Sequence, residues 1–355
     1  MTAAIALPGS IEDVTAEWLT RALRQQRPDI QVHSATVVRN MGGACTKLRV
    51  SVTTNDPSFP ESVVVKGCLE PHTAAMRPLQ FREAMTYSRI VPLLEGVDTV
   101  KCHFVQADEQ LGAALVMEDL DLRGATCGNA LEPIESYELA ANFLGNLARL
   151  HARWWNSPEL LDESHFGFLG DALEVTIPYS EAILTDPELF AQERCKPRAS
   201  CLSRTILDGP RLHRAFGVAK QLGRTMPFTL LHGDMHPSNL FVTAGDRGGL
   251  LDWLSMRGPW ALDVSYFIGG NLDAVDRRAW EKPLLQNYLS ELSALEVKAP
   301  SFEEAWFAYR AWMTWGIYVW LTNIPEYHSE DKITAMSARF GTALVDHSTF
   351  DLLGV

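Results

Sequence analysis

LLHGDMHPSNLFVTAGDRGGLLDW, residues 230–253, places five polar side chains capable of chemistry within one short span. Two apolar runs of strand-forming residues, 240–243 and 248–251, flank Ala244-Gly245-Asp246-Arg247. Such a tetrapeptide is a suitable four-residue hairpin loop. The stretch therefore predicts a two-stranded ribbon that follows a polar loop.

The register of this hairpin decides which side chains meet at its open end. If Leu240 pairs with Leu251, then Asn239 faces Asp252. A carboxamide and a carboxylate provide hard oxygen ligands, the type that Mg²⁺ prefers. We therefore predict Asn239 and Asp252 as metal ligands.

The loop before the hairpin has the spacing of a kinase catalytic loop. Asp234 lies five residues before Asn239, as does the Asp that accepts the substrate hydroxyl proton in kinases. His232 takes the place of the leading His of that loop, and Gly233 replaces the usual Arg. The pattern predicts phosphoryl transfer, with Asp234 and His232 as catalytic residues.

Two other interpretations of the same stretch remain open at this point. His232-x-Asp234-x-His236 could bind a transition metal, as in a metallohydrolase. Alternatively, the hairpin could be purely structural. Pro237 and Ser238 favour a loop over a strand, which weakens the first alternative.

Three strings of the sequence resemble one family of small-molecule kinases. HGDMHPSN at 232–239, LLDW at 250–253 and GPWALDVSYFIG at 258–269 are similar to segments of the aminoglycoside phosphotransferase and choline kinase group. The closest likeness is to ecdysteroid kinase-like proteins. The resemblance implies an α+β, protein-kinase-like fold of two lobes, with a β-rich N-lobe and a large helical C-lobe.

The resemblance also implies an activity, which is transfer of the γ-phosphoryl of ATP, with Mg²⁺, to a hydroxyl of a small molecule. Asp234 matches the base of the family, and Asn239 and Asp252 match its metal ligands. We expect the N-lobe to comprise residues 1–118 and the C-lobe residues 119–355. Fold resemblance alone does not identify the acceptor.

A nucleotide site is predicted in the N-terminal third. Gly42 and Gly43 lie between two predicted strands, 34–39 and 45–53, where glycines let backbone N–H groups approach phosphates. The loop lacks the G-x-G-x-x-G pattern, so an ordinary hairpin turn is the alternative.

A lysine and a glutamate are predicted to complete that site. Lys66 ends an apolar strand, and Glu83 lies in the first turn of a helix expected to begin near Phe81. In the family pattern the two residues pair so that the ammonium binds the phosphates. Lys47 and Glu70 are the competing candidates.

The segment 115–120 resembles the hinge of these kinases. Backbone groups of Met117, Glu118 and Asp119 are expected to bond the adenine edge. The side chains of Glu118 and Asp119 could equally be solvated acids.

Further segments are predicted to support the fold. Ser10 is expected to cap a helix that runs to Arg24, while His151 and Asp263 are interpreted as structural. The aromatic residues of the C-terminal third form either core or a wall for the acceptor. These are Trp306, Tyr309, Trp312, Trp315, Tyr318 and Trp320.

Composition narrows the classes of partner. The net charge of −13 disfavours nucleic acid and anionic membranes. The six cysteines show no C-x-x-C pair, and the start, MTAAIALPGS, has no basic segment typical of a signal peptide. We therefore expect a cytoplasmic enzyme, monomeric or homodimeric.

The acceptor is predicted only by class. A lipophilic or steroid-like alcohol is the first expectation, and a choline-like or aminoglycoside acceptor is the alternative within kinases. A nucleotide-binding pseudokinase scaffold is the alternative outside them.

Overall fold

The computed structural model describes residues 5–355, which form two compact units. Unit 1 runs up to Leu93 and includes Thr99–Thr126, whereas unit 2 consists of Leu94–Asp98 and Cys127–Val355. The predicted lobe boundary at residues 118 and 119 falls within the Thr99–Thr126 segment.

Unit 1 is rich in strands. Its elements in chain order are α1 (Ala16–Leu23), β1 (Val32–Asn40), β2 (Thr46–Thr54), β3 (Ser62–Gly67), α2 (Arg77–Arg89), β4 (Cys102–Asp108) and β5 (Gly112–Glu118). The strands form one antiparallel sheet in the order β1-β2-β3-β5-β4.

Alternating apolar residues give this sheet a buried face. In β2, the side chains of Leu48, Val50 and Val52 are buried, because successive residues of a strand point to opposite faces. The core that includes this face also contains Trp18 of α1, which packs edge-on against Phe104 of β4 with ring centroids 5.8 Å apart.

The predicted N-terminal helix begins later than expected. A short 3₁₀ turn, Ile11–Asp13, follows Ser10, and α1 starts only at Ala16. Thr15 is the residue that caps it, since its hydroxyl accepts a hydrogen bond from the Trp18 N–H at 3.2 Å. The expectation that Ser10 caps the helix was therefore wrong.

Unit 2 is mainly helical. The short strand β6 (Thr126–Cys127) lies at the start of its second segment. The elements from there to the loop 232–239 are α3 (Tyr137–Arg153), α4 (Glu163–Phe166), β7 (Gly170–Asp171), α5 (Pro178–Thr185), α6 (Pro187–Glu193), α7 (Pro197–Ser200), α8 (Gly209–Gly223) and β8 (Phe228–Leu231). The remaining elements are β9 (Leu240–Thr243), β10 (Arg247–Leu250), β11 (Met256–Pro259), α9 (Ala261–Asn271), α10 (Ala274–Ala294), α11 (Phe302–Leu321), α12 (Glu330–Asp346) and α13 (Thr349–Leu353).

Two small β structures position the polar loop of unit 2. β11 pairs antiparallel with β8 and parallel with β7, while β9 and β10 form a hairpin. Helix α11 packs against α8, α9 and α12, and α3 packs against α10. The loop 232–239 thus begins at the end of β8 and ends at the start of β9.

The aromatic residues of α11 belong mainly to the core. Tyr309, Trp312, Trp315, Tyr318 and Trp320 are all buried, with at most 4% of their surface exposed. The core interpretation is therefore correct for these five residues. Among residues 5–355 no helix is sufficiently long and apolar to cross a membrane.

Candidate active site

The hairpin forms, but its register differs by one residue from the prediction. Leu240 lies opposite Leu250 rather than the residue after it. Arg247 therefore belongs to β10, and the loop has three residues, of which Gly245 and Asp246 have positive φ. A three-residue hairpin loop commonly accommodates such a left-handed conformation.

Asn239 and Asp252 consequently lie just outside the ladder. The Leu251 N–H donates to the Asn239 carbonyl oxygen at 3.1 Å, so the two chain segments stay adjacent for one more step. Asp252 follows with φ +57°, a conformation that Asp tolerates better than most residues and that often marks functional sites.

Asp234 is held by three side chains. The Asn239 amide nitrogen donates to its Oδ2 at 2.9 Å, and the Tyr266 hydroxyl donates to its Oδ1 at 3.2 Å. The His236 Nε2 lies 3.4 Å from Oδ2. The carboxylate is thus fixed in orientation, while 32% of the side chain remains exposed.

The surroundings of Asp234 keep it ionised. Burial acts to raise the pKa of this carboxyl, but His236, through its charge and its hydrogen bond, outweighs burial together with His232 and His328. The pKa of Asp234 therefore lies below its ordinary value, and at neutral pH the group is a carboxylate that can accept hydrogen bonds.

Asp263 fixes the backbone of the loop. Its Oδ2 accepts from the His232 N–H at 2.7 Å and its Oδ1 from the Gly233 N–H at 3.0 Å. Asp263 is fully buried. Asp263 therefore supports the loop, in agreement with its predicted structural role.

Gly233 has a conformation that explains why glycine stands where kinases have Arg. Its φ is +87°, and a Cβ added there would lie 3.0 Å from the Met256 Cε and 3.2 Å from the Leu254 carbonyl oxygen. A larger residue would therefore strain the loop immediately before Asp234.

His232 is buried among backbone groups. Its Nδ1 accepts from the Asp234 N–H at 3.3 Å, so the proton lies on Nε2, which donates to the Leu251 carbonyl oxygen at 3.0 Å. Burial lowers the pKa of His232, and the ring packs 4.6 Å from Trp253. These bonds make His232 a neutral link between the loop and the hairpin.

The bonds of His232 also bear on the metallohydrolase alternative. Because the backbone occupies both ring nitrogens of His232, this residue cannot join Asp234 and His236 in a three-ligand metal site. No group of three or more His, Cys, Asp and Glu side chains that could hold a metal ion occurs within the described part of the chain.

His151 lies behind the loop, in agreement with its predicted structural role. Its Nε2 is 3.3 Å from the Asp263 Oδ2, and its Nδ1 is 2.7 Å from the Tyr288 hydroxyl. The ring is fully buried, which excludes contact with a substrate.

Four residues that the sequence did not link to a catalytic Asp234 surround its carboxylate. They are His236, Tyr266, Trp320 and His328. The sequence considered His236 only as a metal ligand and Trp320 only as core or acceptor wall. Tyr266 had a direct signal, since it lies three residues after Asp263 and therefore on the same helical face. Trp320 donates through its indole N–H to the Tyr266 hydroxyl at 2.8 Å.

Unit 1 contains a buried ion pair between Lys66 and Glu83. The Lys66 Nζ is 2.8 Å from Oε1 and 2.7 Å from Oε2 of Glu83. The two residues are 5% and 4% exposed. The structure therefore brings together the lysine and glutamate that were preferred from the sequence.

The competing candidates make other contacts. Glu70 accepts hydrogen bonds from the side chains of Asn40 and Thr46, at 3.2 and 3.0 Å. Glu83 itself lies beyond the first turn, because α2 begins at Arg77 rather than near Phe81. The predicted position of Glu83 in its helix was thus wrong, although its pairing was predicted correctly.

Gly42 and Gly43 lie in the loop between β1 and β2. Their φ values are +65° and +104°, which glycine adopts without strain. The Gly42 N–H donates to the Asn40 Oδ1 at 3.0 Å. The loop keeps its shape partly through this local hydrogen bond.

The predicted hinge has fewer available backbone groups than expected. The Glu118 N–H donates to the Lys101 carbonyl at 2.9 Å, and the Asp119 carbonyl accepts from the Leu122 N–H at 3.0 Å. Met117 is paired within the sheet. Of the predicted hinge groups, the Asp119 N–H is therefore the donor that we still expect to bond the adenine edge.

The acidic side chains at this hinge are not simply solvated. Asp119 is buried and accepts from Arg49 at 3.0 Å and from the Ser62 hydroxyl at 2.6 Å. Glu118 pairs with Arg123 at 2.9 Å. Both side chains hold this part of unit 1 together.

Comparison with known proteins gives a family and a fold. The sequence model of the phosphotransferase enzyme family matches residues 48–312. No curated protein sequence matches this chain significantly.

Solved structures of two kinases are similar in fold. An ethanolamine kinase from Plasmodium vivax has a TM-score of 0.50 and 14% identity over 92% of this chain and 84% of its own. A choline kinase from Cryptosporidium parvum has a TM-score of 0.50 and 13% identity over 91% of this chain and 92% of its own. The predicted α+β, kinase-like fold is confirmed.

The family match covers well over half of the sequence. The chain therefore belongs to the phosphotransferase enzyme family, as predicted at the level of the superfamily.

Proposed function

We propose that this phosphotransferase moves the γ-phosphoryl of ATP, with Mg²⁺, to a hydroxyl of a neutral, lipophilic small molecule. The observation that carries the proposal is the setting of Asp234. Its carboxylate is oriented by Asn239 and Tyr266, ionised, and partly exposed.

Asp234 acts on the acceptor. Its carboxylate accepts a hydrogen bond from the acceptor hydroxyl, orients the oxygen towards the phosphorus, and takes the proton as the new P–O bond forms. Positioning and electrostatic stabilisation provide most of the rate in such reactions. His232 contributes indirectly, since its ring holds the Asp234 backbone to the end of the hairpin.

Lys66 and the glycine loop act on the nucleotide. The Lys66 ammonium offsets phosphate charge, and the ion pair with Glu83 holds the ammonium in place. Gly42 and Gly43 allow close approach of the backbone to phosphate oxygens. Met117, Glu118 and Asp119 provide the hinge, with the Asp119 N–H as the donor to adenine.

Asn239 and Asp252 would hold Mg²⁺. The chemistry of this donor set fits, because the Asn239 amide nitrogen is bonded to Asp234 and its oxygen is the atom left for a metal. Mg²⁺ is commonly bound by one or two protein groups together with phosphate oxygens and water. When bound, the ion neutralises charge on the phosphates.

The residues beside Asp234 support the proposed class of acceptor. Tyr266, Trp320, His236 and His328 contact one another or the carboxylate, and none is acidic. A cation such as choline would be favoured by carboxylates or by open aromatic faces. Trp320 is 1% exposed, so its face is covered, which favours a neutral alcohol.

The loop 322–329 presents His328 to this region. The His328 ring packs at a tilt against Trp320, with ring centroids 4.8 Å apart, and lies edge-on to His236 at 5.3 Å. The buried Arg198 clamps both ends of the loop, because it donates to the carbonyls of Leu321 and Asn323 and pairs with Glu330. We assign this loop to acceptor selection.

An assay of ADP release with Mg·ATP and a panel of acceptors tests the activity. The panel compares neutral lipophilic alcohols, including sterols, with choline, ethanolamine and aminoglycosides. We expect ADP release to depend on a neutral alcohol. Preference for a cationic acceptor would contradict the assignment of acceptor class, and tight ATP binding without turnover on the whole panel would favour the pseudokinase alternative.

A matched pair of lysine variants tests the nucleotide assignment. Lys66→Met should weaken Mg·ATP binding by about tenfold or more, as expected for loss of a charge-assisted contact. Lys47→Met, directly across the strand pair from Lys66, should bind Mg·ATP nearly as the parent does. Calorimetry measures the Mg·ATP affinity of both variants. A greater loss of affinity in Lys47→Met than in Lys66→Met would assign the phosphate contact to Lys47.

A histidine pair tests the acceptor loop. His328→Ala should raise the KM for the acceptor several-fold and leave the KM for ATP unchanged, because the ring lies near Asp234, the residue assigned to the acceptor. His165→Ala, at an exposed position on α4, is the control. Equal acceptor KM values in both variants would remove His328 from acceptor binding.

A further inference from the structure

Cys45 and Cys68 are brought opposite each other by the pairing of β2 with β3. Thr46 lies opposite Gly67 in the antiparallel register. Continuing that register by one residue pairs Cys45, just before β2, with Cys68, just after β3. Each thiol shifts the pKa of the other, which places the two side chains near each other.

The geometry of a strand pair suits a covalent bond here. Residues directly opposite each other in antiparallel strands have Cα atoms about 4.5–5.5 Å apart. Disulfides bridge Cα atoms about 4.4–6.8 Å apart. If this spacing continues one residue beyond the ladder, the Cα atoms of Cys45 and Cys68 lie within the range that a disulfide bridges.

The two thiols differ in acidity. The pKa of Cys68 is lowered, first by the hydrogen bond from Cys45, then by Thr73 and by the positive charges of Arg77 and Lys66. The pKa of Cys45 is raised by its hydrogen bond to Cys68 and by burial. In the resting protein the Cys68 thiol donates to the Thr73 carbonyl oxygen at 3.3 Å. Once this proton is lost, the lower pKa makes Cys68 the sulfur that more readily forms the attacking thiolate.

The surroundings permit reaction with a small oxidant. Both cysteines are partly exposed. Cys102, in the same unit, has a pKa raised well above its ordinary value by burial, which makes it a poor nucleophile. Cys127, Cys195 and Cys201 are exposed, so the test must distinguish them by position.

We propose that Cys45 and Cys68 form a redox modification site that closes to a disulfide when a hydroperoxide oxidises it. The Cys68 thiolate attacks the peroxide, gives a sulfenic acid, and releases hydroxide or alkoxide. The Cys45 sulfur then displaces water from this sulfenic acid, its proton leaving with the hydroxyl, and the S–S bond forms. A dithiol reductant reverses the reaction.

The bond would tie the start of β2 to the end of β3. Cys45 is two residues after Gly43 in the chain, and Cys68 is two residues after Lys66. The disulfide would thus restrain the loop that holds Gly42 and Gly43. The site itself does not depend on the proposed activity, since its chemistry requires only the two sulfurs and the peroxide.

Peptide mapping of the full-length protein tests the proposal. The protein is treated with a small excess of hydrogen peroxide, alkylated, and digested with trypsin without reduction. We expect peptide 40–47 linked to peptide 67–82, and loss of this species after dithiothreitol. Recovery of both peptides unlinked, or a link from either to the peptide that begins at Cys102, would overturn the proposal.

Two serine variants test the order of the steps. In Cys45→Ser, the sulfenic acid on Cys68 cannot be resolved and should be trapped by dimedone on peptide 67–82. In Cys68→Ser, peptide 40–47 should remain unoxidised under the same conditions. Dimedone labelling of Cys45 in preference to Cys68 would contradict the assigned roles, whereas the map of the unsubstituted protein tests the bond itself even if a variant does not fold.

Discussion

Two carboxylates of unit 2, Asp234 and Glu281, each meet a histidine and a tyrosine but differ in their other partners. Glu281 Oε2 is 2.7 Å from Arg277, 3.0 Å from His347 and 2.8 Å from the Tyr309 hydroxyl. Glu281 is 6% exposed. Asp234 accepts a hydrogen bond from the Asn239 amide where Glu281 has an arginine, and 32% of the Asp234 side chain is exposed.

We propose that this difference separates a structural carboxylate, Glu281, from a chemical one, Asp234. Burial acts to raise the pKa of Glu281, but His347, Arg277 and Tyr309 together lower it. The hydrogen-bonding capacity of the Glu281 carboxylate is thus used by the buried Arg277 and by the histidine and tyrosine that pack beside it. Asp234 is also ionised, but within residues 5–355 no Lys or Arg is paired with it, so it retains capacity to accept a hydroxyl proton.

The largest effect is expected on the rate when Asp234 loses its charge. Asp234→Asn should lower kcat by about 10²–10⁴-fold, the usual contribution of a general base, with little change in Mg·ATP affinity. Glu281→Gln, the matched change in the other carboxylate, should lower the free energy of unfolding and leave kcat of the folded enzyme near the parent value. Equal rates for the two variants would remove the distinction between the sites.

The next effect is expected on stability when Glu281 loses its cation. Arg277→Met should lower the free energy of unfolding by about 3–5 kcal/mol, since it leaves a buried charge without its partner. The exposed Arg278, which bonds Asp346 at 2.7 Å, is the control, and Arg278→Met should lower the free energy of unfolding far less, because exposed ion pairs contribute little to stability. Urea unfolding measures both, and equal losses would contradict the structural role of Arg277.

The contribution of the Glu281 network to stability depends on pH in a defined direction. Because folding lowers the pKa of Glu281, the network stabilises the protein above the unfolded-state pKa, about 4.3. This contribution is lost as the pH falls through the lower, folded-state pKa. Unfolding measured at pH 7 therefore reports the full effect of the arginine variants.

A smaller loss of rate is expected when the tyrosine beside Asp234 loses its hydroxyl. Tyr266→Phe should lower kcat by about tenfold, equivalent to one hydrogen bond to a charged group of about 1.4 kcal/mol. Tyr309→Phe removes the corresponding hydroxyl from Glu281 and should leave kcat unchanged. Steady-state kinetics at saturating ATP measures both, and a larger loss in Tyr309→Phe would reverse the assignment.

The smallest effect at neutral pH is expected when His236 is replaced. His236→Gln removes the strongest influence that lowers the pKa of Asp234, so this pKa should rise towards the value that burial alone favours. The active form is the carboxylate, which is lost as the pH falls through this pKa. The acid limb of kcat/KM should therefore move to higher pH.

The control for this shift is the histidine of the other carboxylate. His347→Gln should leave the acid limb where it is in the parent, because His347 bonds Glu281 rather than Asp234. An identical pH profile for the parent and His236→Gln would show that His236 does not set the ionisation of Asp234.

Local spacing was sufficient to predict part of the site. Asp234 and Asn239 share one short loop, and Lys66 and Glu83 lie at the end of a strand and in the next long helix. The spacing of the loop determines the distance for Asp234 and Asn239, whereas the pairing of Lys66 with Glu83, 17 residues apart, was predicted from the family pattern. The hairpin register was wrong by one residue because three- and four-residue loops fit the same sequence, and only pairing with the rest of unit 2 selects one.

Contacts between distant segments could not be predicted in this way. Trp320 lies 54 positions after Tyr266 in the chain and donates a hydrogen bond to its hydroxyl. His328, in the loop that follows α11, contacts His236, and α11 packs against α9. No periodicity links such residues. Cys45 and Cys68 likewise meet only because β2 pairs with β3.

The most direct test of the role of Asp234 is the fate of the phosphoryl group. The parent and Asp234→Asn are incubated with ATP, Mg²⁺ and the best neutral alcohol of the acceptor panel, and ³¹P NMR quantifies the products. We predict that the parent forms ADP and a phosphomonoester of the alcohol in equal amounts, and that the variant forms neither at a comparable rate. Equal rates of phosphomonoester formation by both proteins would contradict the assigned role of Asp234. Formation of ADP and inorganic phosphate by the parent, with no phosphomonoester, would contradict transfer to the alcohol.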